Sequence, residues 1–234
     1  MNGRITDIET MGLVDGPGMR LVLFLSGCNL RCIYCHNPET WNLKDFTREI
    51  SSDEILKLFN KNKVYYGDVG GVTFSGGEPL IQRDFVFETM KLLKENNVHI
   101  VLDTAGAVDC EYDDILDLVD LVILDVKAVK EDEYKAITGL EMTYFNRFVE
   151  KVKLKNKKLW LRQVIVPGIN DDEEHVELLS EFAKNMPNVE RIELLPYHSM
   201  GKSKYEKLGI PYRLNETPDM DKEQCNKLQD MLKF

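Results

Sequence analysis

The sequence predicts an α/β fold, a six-stranded parallel partial (β/α)6 barrel, and three observations lead there. Six short apolar runs alternate with longer amphipathic segments along 234 residues, the pattern of parallel βαβ units. Each unit needs roughly 30 residues or more, so there is room for six and little for eight. Polar residues gather directly after the apolar runs, where parallel α/β folds place their sites. Six strand ends meet at one site more readily if the sheet curves, which favours a partial barrel over an open doubly wound sheet. No linker, repeat or low-complexity tract interrupts residues 1–234, so a single domain is expected.

The elements follow in order. Residues 21–25, Leu-Val-Leu-Phe-Leu, are a buried strand. Residues 52–60 read as a helix opened by a capping box, Ser51 with Glu54. A second strand at 71–75 stops at Gly76-Gly77, and a helix at 85–96 carries Phe85, Met90, Leu92 and Leu93 at apolar positions. The third strand, 98–102, ends at Asp103; a helix at 112–118 and a fourth strand at 121–125 come next. Helices near 131–138 and 144–155 precede a fifth strand, 159–166, closed by Pro167-Gly168. A helix at 172–184, a sixth strand at 191–195 stopped by Pro196, and a helix at 221–232 come last.

Composition narrows the function. The net charge of −10 disfavours general nucleic-acid binding, which needs a basic surface. No apolar run approaches the ~20 residues of a membrane span, and residues 1–7 lack a signal-peptide pattern. A cytoplasmic protein is expected, with no membrane or nucleic-acid partner, and a monomer is the expected assembly. Five cysteines, an odd number, fit a disulfide framework poorly.

Three of the five fall in Cys28-Asn-Leu-Arg-Cys32-Ile-Tyr-Cys35. This C-x3-C-x2-C loop follows the first predicted strand. Three thiolates so spaced can wrap one [4Fe–4S] cluster and leave one iron open to a non-protein ligand. The alternative is zinc with His36 as fourth ligand, although zinc ligands usually come as two separated pairs. Gly76-Gly77-Glu78 after the second strand reads either as a close-approach turn with a hydrogen-bonding carboxylate or as an ordinary turn. Asp103, Thr104 and Asp125 at adjacent strand ends suit a hard cation; otherwise the two aspartates cap helices or pair with Lys127. Arg162, inside the fifth strand, suits a carboxylate or a structural ion pair. The run Lys151-Val-Lys-Leu-Lys-Asn-Lys-Lys158 is a solvated face or a docking patch for an acidic electron donor, flavodoxin or ferredoxin. Cys110, Cys225, His99 and His175 read as structural.

The cysteine motif is the signature of the radical S-adenosylmethionine (SAM) enzymes, which this chain resembles. Further blocks resemble one family among them, the activating enzymes of pyruvate formate-lyase: Val14-Asp-Gly-Pro-Gly-Met-Arg20, Tyr34-Cys-His-Asn37, Val72-Thr-Phe-Ser-Gly-Gly-Glu-Pro79, Leu102-Asp-Thr104, Leu124-Asp-Val-Lys127, Val166-Pro-Gly168 and Glu193-Leu-Leu-Pro-Tyr-His198. The resemblance implies a [4Fe–4S] cluster that cleaves SAM to methionine and a 5′-deoxyadenosyl radical. That radical takes a hydrogen atom from a glycine of a partner enzyme, leaving a glycyl radical there. It also implies roles. Tyr34, Cys35 and His36 lie in the stretch used against adenine. Gly76, Gly77 and Glu78 contact the methionine end of SAM. Asp125, Val126, Lys127, Arg162 and His198 complete the SAM site, and Asp103, Thr104 and Asp125 hold a monovalent cation. Asp15 and Gly16 receive the partner's glycine loop. Residues 38–69 carry no cysteine, so no ferredoxin-like insert lies there. That absence points to pyruvate formate-lyase rather than another glycyl-radical enzyme as partner. The alternative of a different class is a non-catalytic iron–sulfur or zinc-binding protein.

Overall fold

A computed structural model describes residues 1–234. Eight strands form one sheet: β1 (Asn2–Gly12), β2 (Arg20–Leu25), β3 (Arg48–Ser51), β4 (Gly71–Gly76), β5 (His99–Thr104), β6 (Leu121–Asp125), β7 (Lys158–Ile165) and β8 (Val189–Pro196). Their order is β3-β1-β2-β4-β5-β6-β7-β8. From β2 to β8 every pairing is parallel, and these are the six expected strands. Their near-continuous apolar runs reflect burial on both faces. The sheet does not close, yet one cavity of about 340 Å³ is lined from β2, β4, β5, β6, β7 and β8. That demands a curved sheet, so the parallel part forms a partial barrel.

The sequence reading omitted β1 and β3. β1 adds antiparallel to β2, and β3 adds antiparallel to β1. β1 alternates buried Gly3 and Ile5 with accessible neighbours, as a strand wetted on one face does.

The helices cover the outer face. They are α1 (Ser52–Tyr66), α2 (Arg83–Glu95), α3 (Asp113–Leu118), α4 (Glu131–Thr138), α5 (Thr143–Leu154), α6 (Glu173–Lys184), α7 (Lys202–Leu208) and α8 (Lys222–Met231). The capping box of α1 is present in full: Ser51 Oγ accepts from Glu54 N, and Glu54 Oε2 accepts from Ser51 N. α1 runs six residues beyond the expected end and stops at Gly67. Asp172 caps α6 through His175 N at 2.8 Å. α4 ends at Gly139, whose φ of +78° suits glycine. α7 was not expected from the sequence.

Candidate active site

Cys28, Cys32 and Cys35 are free thiols on the loop that leaves β2. Backbone hydrogen bonds hold this loop on three sides. Gly27 N donates to Thr40 O at 2.7 Å and Cys28 N to Trp41 O at 3.1 Å. Arg31 N and Ile33 N, on either side of Cys32, donate to Thr138 O at 2.8 Å and Ile137 O at 3.0 Å. Carbonyls at a helix C-terminus lack intrahelical partners, so the cysteine loop caps α4. On the third side, Gly77 N donates to Leu25 O and Glu78 N to Gly27 O, both at 2.8 Å.

The Gly76-Gly77 turn is glycine because of that third contact. Gly76 has φ +117°, and a Cβ there would lie 2.2 Å from Leu25 N; one on Gly77 would lie 2.3 Å from Gly27 O. The close approach made possible by the two glycines is to the cysteine loop's own backbone. Glu78 is fully buried behind the turn. Oε1 accepts from Thr104 Oγ1 at 2.6 Å and Leu80 N at 3.1 Å, and Oε2 from Ala105 N at 2.9 Å. Burial raises its pKa against these hydrogen bonds. The carboxylate thus ties the ends of β4 and β5 together, and it does not line the cavity.

The cavity wall carries Cys28, Cys32, Tyr34, Cys35, His36, Gly76, Gly77, Asp103, Thr104, Asp125, Lys127, Arg162 and His198. Thirteen expected residues therefore meet at the C-terminal strand ends; Glu78, Val126, Asp15 and Gly16 stand outside the lining. Asp125 and Arg162 are register neighbours on β6 and β7, as are Arg162 and Glu193 on β7 and β8. Parallel register puts these charges in one row. Asp125 Oδ2 accepts from Lys127 Nζ at 2.6 Å, the pairing the sequence left open. Burial opposes the Lys127 charge, but Asp125, Tyr34 and Cys32 hold its pKa well above the usual value. Arg162 Nε donates to Glu193 Oε2 at 2.9 Å. Asp103 accepts from Ser75 Oγ at 2.7 Å, and its pKa is pushed up to about 7 by burial and then by Asp125. His36 Nε2 lies 2.8 Å from His198 O, with the two rings edge to face at 3.9 Å. His36 is therefore engaged by His198 and not by the sulfurs.

Residues 13–18 form a strap tied to the sheet by three carbonyl contacts. Val14 O accepts from Arg162 Nη2, Asp15 O from Thr73 Oγ1 at 2.7 Å, and Pro17 O from Arg20 Nη1 at 2.9 Å. Burial raises the pKa of Asp15. Leu13 and Val14 face outward, 70% and 73% exposed.

The loop suits an iron–sulfur group. Burial pushes all three thiols up, Cys32 to about 11 with Lys127 opposing. Thiolates bind iron, so loading would release protons. Of six buried polar atoms without partners, three belong to the cysteine loop or the cavity wall, Asn29 Oδ1, the Tyr34 hydroxyl and His198 Nδ1; the others are Glu39 Oε2, the Tyr134 hydroxyl and Gln163 Nε2. Such atoms are rare in folded proteins, and the three at the loop and cavity wall leave room for a polar group beside the cysteines. No three His, Cys, Asp or Glu side chains converge as ligands of one metal ion would. Thiolates of a four-iron cluster bind different irons and need no such convergence.

Elsewhere the structural readings fit. His99 and His175 sit in hydrogen-bonded settings, beside Arg20 and on Gln163 Oε1 at 2.9 Å. Cys225 is buried, its Sγ 3.8 Å from Leu194 O. Four of the five lysines of the run are paired, Lys151 with Asp113 at 2.5 Å, Lys153 with Glu150 at 3.0 Å, Lys155 with Asp117 at 2.7 Å and Lys158 with Glu190 at 2.8 Å, and Lys157 donates to Val119 O at 3.0 Å. This leaves little free positive charge for a docking patch. Sequence reasoning did not single out Tyr134, Thr73, Glu193 or Arg20. The last three lay inside quoted motif blocks, which was the available signal; Tyr134 lay in none.

Fold and cavity together define an enzyme of the radical SAM type: residues 22–179 match the model of the radical SAM superfamily. A pyruvate formate-lyase-activating enzyme of Clostridium pasteurianum is 48% identical over 232 residues, 99% of this chain and 97% of that protein. One from Staphylococcus epidermidis is 42% identical over 229 residues, 94% of this chain and 91% of that one. The chain belongs to the family of the pyruvate formate-lyase-activating enzymes. Solved structures share the fold. A domain of the pyruvate-formate lyase-activating enzyme from Bacteroides vulgatus aligns at TM-score 0.56 and 22% identity, over 70% of this chain and 92% of that one. A radical SAM methyltransferase from Sphaerobacter thermophilus aligns at 0.62 and 16%, over 91% and 63%. No helix is long and apolar enough to cross a membrane.

Proposed function

We propose that Cys28, Cys32 and Cys35 hold a [4Fe–4S] cluster, that the adjoining cavity holds SAM, and that the protein substrate is a glycine loop of pyruvate formate-lyase. The single observation that carries the reading is one cavity joining the three cysteines to Asp103, Asp125, Lys127 and Arg162. Bound there, cluster and SAM supply one-electron cleavage to methionine and a hydrogen-abstracting 5′-deoxyadenosyl radical.

The protein's part is binding, orientation and exclusion of water. Lys127 and Arg162 bring positive charge to the SAM carboxylate, and Asp103 and Asp125 bring negative charge to its amino group and sulfonium. Tyr34, His36 and His198 form the aromatic wall for the adenine. Gly76 and Gly77 expose backbone to the methionine end, while Glu78 holds the turn from behind. Val126, fully buried beside Asp125 and Lys127, fixes the β6 end. The Asp103–Asp125 repulsion is what a monovalent cation at these two residues and Thr104 would relieve. The strap at Asp15 and Gly16, with Leu13 and Val14 exposed, faces the incoming glycine loop.

The test replaces Cys32 with Ala. Anaerobically reconstituted wild type should show an electron paramagnetic resonance signal that changes when SAM is added, and should raise a glycyl-radical doublet on pyruvate formate-lyase. Cys32→Ala should lose both. Wild type that cleaves SAM and never radicalises pyruvate formate-lyase would move the assignment to another partner.

A further inference from the structure

The cysteine loop has little shape of its own. Between Cys28 and Cys35 a single backbone–backbone hydrogen bond joins two loop residues, Cys35 N to Cys32 O at 3.1 Å. Such a segment is ordered by its neighbours, or the cost of ordering it falls on ligand binding. Cys28 and Cys32 have neighbours of this kind: Cys28 N donates to Trp41 O, and the residues on either side of Cys32 donate to the end of α4. Cys35 has a different one. Its carbonyl receives no backbone N–H. The Tyr205 hydroxyl, on α7, donates to it at 3.0 Å.

Tyr205 belongs to a wider grip. Lys204 Nζ donates to Asn37 Oδ1 at 2.7 Å and to Glu39 Oε1 at 2.5 Å. Arg213 Nη2 donates to Arg31 O, and His198 O lies 2.8 Å from His36 Nε2. Gly201 packs so closely that a Cβ there would lie 3.2 Å from His36 Cα. The Tyr205 ring meets Trp41 edge-on at 5.7 Å and Tyr212 at 4.8 Å. Packing thus fixes the direction of its hydroxyl. All of these residues lie beyond residues 22–179, the part that matches the superfamily model.

We infer that residues 198–213 form a clasp that presets the cysteine loop, with Tyr205 as a positioning residue for Cys35. Its O–H holds the Cys35 carbonyl, and through it the direction of Sγ, before any group binds. The inference rests on the iron–sulfur reading of the loop. Tyr205 does not line the cavity, so it acts through Cys35. Partners behind the ligands orient them in this way at metal centres generally.

Tyr205→Phe removes the donor and keeps the ring. In the full chain without cluster, amide exchange should quicken about fivefold at Cys35 and Thr40, the equivalent of about 1 kcal/mol. Ile33 N, held by Ile137 O of α4, should keep its rate, which a general loss of stability would not allow. After reconstitution with iron and sulfide, the variant should release iron to a chelator faster and show an altered electron paramagnetic resonance line shape without SAM. Tyr66→Phe removes a hydroxyl that donates to Thr10 O at 3.0 Å, away from the loop, and should change none of these. Should Tyr205→Phe fold poorly, Lys204→Met provides the second reading: it should quicken exchange at Thr40, and Lys204→Arg should restore it. Wild-type exchange and iron release in both clasp variants, or equal quickening at Ile33, would overturn the inference while the iron–sulfur reading stands. Wild type that takes up no cluster would overturn both, which separates the two failures.

Discussion

The two ends of the parallel sheet bury polar groups in opposite ways. At the N-terminal end, Arg20 is 0% exposed and well partnered. Its Nε donates to Thr73 Oγ1 at 2.6 Å, Nη1 to Pro17 O at 2.9 Å, and Nη2 to Val72 O at 2.9 Å and His99 O at 3.2 Å. At the C-terminal end, Asn29, Tyr34, Tyr134 and His198 each keep a buried atom without a partner. A satisfied network closes on itself and serves the fold. An unsatisfied one keeps its capacity for something the chain does not contain.

The largest effect on stability should come from opening the satisfied end. Arg20→Met removes a guanidinium and leaves buried carbonyls of Pro17, Val72 and His99 short of donors. Breaking a buried charged network of this kind costs about 3–5 kcal/mol. For a chain of this size that lowers the melting temperature by roughly 10 °C, read by calorimetry. The strap also loses its anchor at Pro17, so amide hydrogen exchange over residues 13–18 should quicken. A loss below about 1 kcal/mol would break the comparison, because the network would then be dispensable.

A smaller effect is expected from Glu78→Gln, a satisfied group at the C-terminal end. The carboxylate accepts three hydrogen bonds, two of them from backbone N–H. An amide turns one acceptor into a donor facing a donor, at a cost of about 1–3 kcal/mol. Because Glu78 N also bonds the cysteine loop through Gly27 O, iron incorporated per folded chain should fall as well. Intact stability with lost SAM binding would instead show that Glu78 meets SAM directly.

The parallel strands were legible because burial on both faces writes itself as apolar runs. β1 was not: Asp7 and Glu9 on its wet face hide the period beside Ile5 and Ile8. The cysteines were legible because their chemistry lies in local spacing. The Asp125–Lys127 pair was legible as an alternative, two residues apart in one strand end. Arg20 was not, since apart from Pro17 its partners, Thr73, Val72 and His99, lie 52 to 79 residues away. Tyr134 shows only an amphipathic helix position in sequence; its missing partner emerges when the chain folds.

The smallest predicted effect is a pH dependence at the satisfied end. His99 Nδ1 lies 3.3 Å from Arg20 Nη2. Burial first, then the Arg20 charge, hold the His99 pKa below its ordinary 6.5. Below pH 6.5 the unfolded chain therefore binds a proton at this residue that the folded chain declines. Stability from His99 is present above that pH and is lost as pH falls from 6.5 toward the folded value. His99→Gln should lower the melting temperature at pH 7.5 and flatten its decline between pH 6.5 and 5.5, read by scanning calorimetry at fixed ionic strength. His36 and His175 also have lowered pKa values, chiefly through burial, so the decline flattens without vanishing. A variant whose slope matches wild type would mean that Arg20 does not repel the His99 proton, and the closed character of that network would have to rest on its carbonyls alone.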